Sequence, residues 1–107
     1  MQNDNVPTIS NSFKIWDIVK NERQERARMI AQNFLFECDK EAVKAASDGN
    51  RTVKLKYENT FDDYVWEMIK DALTDAEFIN ISRETIPGKE YVKVDEVTFE
   101  FPYSPQK

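Results

Sequence analysis

The stretch Thr52-Val53-Lys54-Leu55-Lys56-Tyr57-Glu58-Asn59-Thr60-Phe61-Asp62-Asp63-Tyr64-Val65-Trp66-Glu67-Met68-Ile69-Lys70-Asp71-Ala72-Leu73 changes its hydrophobic period halfway along. Its first part alternates. Val53, Leu55 and Tyr57 share one side and Lys54 and Lys56 the other, as in a strand with one buried face. Lysines on the wet face also discourage edge-to-edge pairing. From Phe61 onward the apolar residues Phe61, Tyr64, Val65, Met68, Ile69, Ala72 and Leu73 recur at i, i+3, i+4, i+7 and i+8, the spacing of an amphipathic helix. Thr60 is the expected N-cap, with Asp63 closing a weak capping box, and the helix should stop near Thr74–Asp75.

Downstream, Phe78 to Arg83 reads as a second strand with Ile79 and Ile81 on one face. Pro87-Gly88 supplies a turn, and Tyr91 to Phe101 is the third strand. That last run changes phase: Val92 and Val94 have one parity, while Val97, Phe99 and Phe101 have the other. The reading predicts a β-bulge near Asp95–Glu96, so that both sets reach the core. A tight two-residue turn would set Ile81 opposite Val94.

Upstream, residues 1–11 are polar, contain Pro7 and read as a mobile arm. Ser12 is the expected cap of a helical run from Phe13 to about Ser47. In it Phe13, Trp16 and Val19, then Ala27, Ile30, Phe34, Cys38, Ala42 and Ala45 fall at helical spacing. Gly49 is a good C-terminal stop. Because the run far exceeds a usual globular helix, two readings compete, one long helix that projects from the domain and a helix broken near Lys20–Asn21 or at Asp39; a long helix with an interruption is the expectation. Residues 102–107 form an extended tail. The expected fold is therefore α+β: one domain over residues 12–101, a two-layer sandwich in the order helix-strand-helix-strand-strand, with a long N-terminal helix and a three-stranded sheet.

Composition narrows function by exclusion. The chain has 107 residues, a net charge of −5, no histidine and one cysteine. Ser-His-Asp and Cys-His nucleophile systems are excluded, as are an intramolecular disulfide and a cysteine-built zinc site. Two glycines are too few for a Gly-rich phosphate loop. The acidic balance argues against gripping nucleic acid, and the glutamates interleaved with Arg23, Arg26 and Arg28 cancel their field. No run suits a membrane span, and the start, Met1-Gln2-Asn3-Asp4-Asn5, lacks the basic and apolar parts of a secretory signal. A cytoplasmic location is the expectation.

Candidate sites are few. Asp62, Asp63 and Glu67 could hold a hard cation, but acids also complement the positive end of a helix. Phe13, Ile15, Trp16, Ile18 and Val19 form an apolar knot ahead of the charged run Lys20–Arg28. At about 1.5 Å per residue the knot lies some 20 Å from the Phe34–Cys38 region. It must fold back onto the domain or dock on another chain. Trp66 falls off the stripe of its helix, and it sits either at the core rim or in a contact surface. Phe34-Leu35-Phe36 cannot all face one side of a helix, so Leu35 or Phe36 must meet something other than the sheet.

The stretch Glu41-Ala42-Val43-Lys44-Ala45-Ala46-Ser47-Asp48-Gly49-Asn50-Arg51-Thr52-Val53-Lys54-Leu55 resembles many small phage-encoded proteins, in which a helix ends in an Ala-Ala…Gly turn and leads into a Val-x-Leu strand. Those proteins often continue with a helix, a Leu-x-x-x-x-Phe step and a closing hairpin, here Leu73–Phe78 and Phe78–Phe101. The likeness spans residues 27–101, with Ala76-Glu77 where such proteins have Gly. It implies a virion component or accessory factor and carries over no functional residue.

The resulting expectation is a non-enzymatic protein-protein interaction or structural protein without cofactor or metal. Its partner would be another protein chain, expected to be a second copy, meeting it through Phe13, Ile15, Trp16, Val19 and Trp66. The alternatives are a small-ligand or nucleotide-sequestering protein with its pocket at a subunit interface, and a metal-dependent hydrolase using Asp62, Asp63 and Glu67.

Overall fold

The computed structural model describes residues 11–105. The element order is α1 (Ser12–Ser47), β1 (Thr52–Lys56), α2 (Asp63–Asp75), β2 (Ile79–Pro87) and β3 (Lys93–Glu100), with one 3-10 turn at Lys89–Tyr91. The sheet order is β1-β3-β2. Both outer strands run antiparallel to β3, so β1 and β2 run parallel with β3 between them. Both helices cover one face of this sheet. The other face carries Lys54, Glu84, Glu96 and Thr98. The molecule measures 73 × 34 × 18 Å, and the smallest extent fits two layers. The expected α+β architecture is thus present. Of the arm expected at residues 1–11, all but Asn11 lies outside the described residues.

α1 is one continuous helix of 36 residues, and the expected interruption is absent. Neither Asn21 nor Asp39 breaks it, because nothing else competes for their backbone partners inside an already propagating helix. Asn11 caps it instead of Ser12: its Oδ1 accepts from the Lys14 amide at 2.9 Å. At the far end Gly49 takes φ 77°. The Gly49 amide donates to the Ala46 carbonyl and the Asn50 amide to that of Ala45, a Schellman closure. α2 ends by the same device, since the Glu77 amide donates to the Thr74 carbonyl and that of Phe78 to Leu73. Here the left-handed position is held by Glu77 at φ 72°, a conformation unfavourable for a residue with a Cβ. α2 is capped by Asp62 rather than Thr60, its Oδ1 accepting from the Val65 amide at 2.8 Å.

The phase change in the third strand has a different solution from the one expected. β3 runs without a bulge, and its core face is Asp95, Val97, Phe99 and then Phe101. Val92 and Val94 therefore face away from the core. Val94 pairs instead with Ile86, because the hairpin turn is long, from Gly88 to Val92, and Ile81 is not its partner. The bulge lies in β2. Ile79 pairs with Glu100 and Ser82 with Thr98, which leaves one extra residue on β2, and Asn80 there takes φ 52°. Gly88 is required by its surroundings, because a Cβ there would clash with the Val92 carbonyl oxygen.

The core-facing acid on β3 is fully satisfied. Asp95 is 0% exposed. Its Oδ2 accepts from the Phe61 amide at 2.7 Å and its Oδ1 from the Thr85 hydroxyl at 2.5 Å, while Arg83 Nη1 lies 3.7 Å from Oδ2. Arg83 in turn donates to the Phe61 carbonyl at 2.9 Å and to Asp63 Oδ1 at 3.3 Å. Among the described residues no buried side-chain nitrogen or oxygen lacks a partner.

Three stability outcomes follow. Asp95→Ala strands the Phe61 amide and the Thr85 hydroxyl and removes the buried counter-charge of Arg83, and should lower unfolding free energy by about 3 kcal/mol or more. Asp95→Asn, which keeps the shape, should cost less. Glu77→Gly should raise it by about 1 kcal/mol by relieving the left-handed position. Denaturant titration of the three variants beside the parent measures all of these.

Candidate partner-binding surface

α1 buries Ala27, Ala31, Phe34, Cys38, Ala42 and Ala45 in the core with Val53, Phe61, Val65, Ile69, Leu73, Val97 and Phe99. The spacing of the six helix residues, four, three, four, four and three, draws one stripe along the helix. Phe34 fixes its position, with ring centroids 4.8 Å from Phe61 and 6.0 Å from Tyr57, while Tyr57 and Phe61 stack at 4.1 Å.

N-terminal to Ala27 the helix continues with no buried residue. This stem, residues 12–26, is about 22 Å long at 1.5 Å per residue. Phe13 and Trp16 continue the direction of the buried stripe past the end of the sheet, and they are 80% and 56% exposed. Ile15 and Ile18 are exposed and Val19 half-buried. Among the described residues nothing covers the knot. Arg23 places its guanidinium 5.9 Å from the Trp16 ring centroid, which shields one side of the indole only.

Where the stem leaves the body, an open cleft of about 490 Å³ lies between it and the first turn of α2. Trp16, Lys20, Arg23 and Arg26 form one wall, and Asp62 and Tyr64 part of the other. Its chemistry is that of an apolar, cationic groove. Trp66 is not among its lining residues. It is half-buried and packed on the core rim, with the Arg83 guanidinium 5.3 Å from its ring centroid. The structure therefore brings Phe13, Ile15, Trp16 and Val19 together on one stem and leaves Trp66 elsewhere, beside the Arg83–Asp95 network.

The other candidates divide in the same way. Asp62 is spent on capping α2 and Asp63 faces Arg83. Among the described residues no group of three or more His, Cys, Asp or Glu could hold a metal ion, and no helix is long and apolar enough to cross a membrane. Of Phe34-Leu35-Phe36, Phe34 is buried, Leu35 packs on the core, and Phe36 faces away with Lys40 Nζ 4.5 Å from its ring centroid. Sequence reasoning missed the Arg83–Asp95 pair, whose signal was Asp95 standing in phase with Val97, Phe99 and Phe101. It also missed Met29 and Val43, exposed on the same side of α1 as Phe36, whose signal was their seven-residue spacing about Phe36.

Cys38 is the one thiol and is buried. Burial pushes it up from 9.0 to about 12, with the Glu37 carboxylate adding to the effect. A side chain so placed is core, not a nucleophile.

No protein family, curated protein or solved structure matches this chain. The likeness of residues 27–101 to small phage-encoded proteins rests on local motifs alone.

Reactivity checks the placement of Cys38. Three units above the usual thiol value means roughly a thousandfold less thiolate. At pH 8 iodoacetamide should leave the native protein unlabelled over hours and label it within minutes in denaturant, as mass spectrometry reads directly.

Proposed function

We propose that this protein is a non-enzymatic interaction protein, of the small phage accessory or virion type, that presents the α1 stem to another protein chain. One observation carries the reading. Fifteen residues of regular helix leave the body with Phe13, Ile15, Trp16 and Ile18 uncovered. Large apolar side chains on an isolated helix contribute almost nothing to the stability of their own protomer. Grouped with arginine, they have the composition of interface hot spots. The helix is already formed, so a partner meets a surface whose ordering cost has largely been met within the protomer.

The cleft beside Trp16 also suits a planar anion, with Lys20, Arg23 and Arg26 near the indole. That is the observation behind a second reading, nucleotide sequestration. Small-ligand sites enclose most of their ligand, whereas this groove is open along its length, so the protein partner is the stronger reading. Trp66 contributes to it at most from the rim, since its ring already stacks with Arg83.

Site-specific photo-crosslinking tests the reading in producing cells. A benzophenone side chain at position 13 or 16 should trap a discrete protein adduct, and the same group at position 71, on the exposed face of α2, should not. Equal, diffuse labelling from all three positions overturns it. Phe13→Ser with Trp16→Ser should abolish the adduct while changing unfolding free energy by no more than about 0.5 kcal/mol. A thermal shift with nucleotides, lost in Trp16→Ser, would favour the second reading.

A further inference from the structure

The cleft between the stem and the first turn of α2 has an apolar floor of Trp16, Ala27, Ile30 and Val65 beside three cations, Lys20, Arg23 and Arg26. Among the described residues none of the three makes an ion pair, whereas Arg28, Lys40, Arg51, Lys54 and Arg83 each face a carboxylate. Among the described residues Asp62 is the single acid lining the cleft, and its Oδ1 is taken by the Val65 amide. Asp17 and Glu22 stand at opposite rims, each about a third of a turn round α1 from the line of Trp16 and Arg23. Glu25 lies on the far side of the helix and faces Arg28. A chain of net charge −5 thus gathers three cations around one acid that is already engaged.

This combination selects its occupant. An apolar side chain seated on the floor drives water from the charged groups beside it. Cations so desolvated are costly unless a carboxylate meets them. A neutral or basic segment leaves them unpaired and is rejected, while an acidic one pairs them, the arginines by their two-pronged geometry. Lys20 to Arg26 spans about 9 Å of stem, the length of about three residues of extended chain. A phosphate backbone needs a longer basic track, and the acidic body repels it.

We propose that the cleft holds a short acidic segment of another protein, with one large apolar side chain on the Trp16–Ile30 floor and carboxylates against Lys20, Arg23 and Arg26. The proposal rests on the reading of the stem as a partner-binding element and adds the charge and the place of the contact.

Benzoylphenylalanine in place of Tyr64, which lines the cleft, keeps an aromatic ring there, whereas position 13 reports the stem tip. After irradiation in producing cells, position 64 should bond to a partner segment that mass spectrometry maps as acidic. Lys20→Gln, Arg23→Gln and Arg26→Gln together should leave circular dichroism unchanged, glutamine being a good helix former, and should cut the yield of that adduct at least about tenfold. The mapped segment, made as a peptide, should bind the full chain about tenfold more weakly when its acids are replaced by their amides, and more weakly at about 0.5 M salt than at about 0.05 M. An adduct mapped to a neutral or basic segment, to a nucleic acid or to a second copy overturns the proposal, and so does an adduct that survives the triple substitution. If position 64 traps nothing while positions 13 and 16 still trap a protein, the cleft proposal fails and the interaction reading above stands. If no position traps a protein, both fail.

Discussion

The body of this protein is held in register by one buried carboxyl group. Asp95 sits on the core face of the central strand, and the groups that meet it come from two other parts of the chain, β2 and the segment that enters α2. Thr85 and Arg83 fix β2 against β3, and the Phe61 amide fixes the segment that enters α2. Arg83 repeats the connection from the other side through the Phe61 carbonyl and Asp63. A buried polar group is tolerated only when its partners are complete. A one-residue slip of β3 would turn Asp95 outward, put Glu96 inside and leave the Phe61 amide without an acceptor. Such a slip is therefore resisted more strongly than apolar packing alone could manage. Phe61, held by this network, is also the ring on which Phe34 of α1 rests, so the position of the long helix derives from the same carboxyl.

That position determines which part of α1 is sheltered. The sheet is three strands wide and at most nine residues long, and with α2 beside it offers α1 cover only from Ala27 to Ala45. A 36-residue helix outruns such a body whichever way it lies. The stem stays helical because it extends an existing helix, which spares it the costly nucleation step. It is also capped by Asn11 and supported by the Glu25–Arg28 pair at 3.1 Å, worth only a few tenths of a kcal/mol in solvent. Its exposed apolar side chains add little to this.

Periodicity made the elements legible from sequence, and for a physical reason. A helix or strand against a single core must repeat its apolar residues at its own period, so the strand at 52–57, the stripe from Phe61 to Leu73 and the stop at Gly49 all stand out. The uncovered knot around Trp16 was legible for the same reason, as apolar residues separated by distance from anything that could cover them. The misreadings occur where a polar residue holds a core position. Alternation rules assume that an acid faces water, so Asp95 was read as the seat of a bulge, and Val92 and Val94 were drawn inward in its place. Once Asp95 is counted with Val97, Phe99 and Phe101, the phase of β3 is unbroken and the irregularity moves to Asn80–Ile81 in β2. Capping chemistry was misplaced by one residue at α1 and two at α2, because Asn11 and Ser12, like Thr60 and Asp62, are all competent caps.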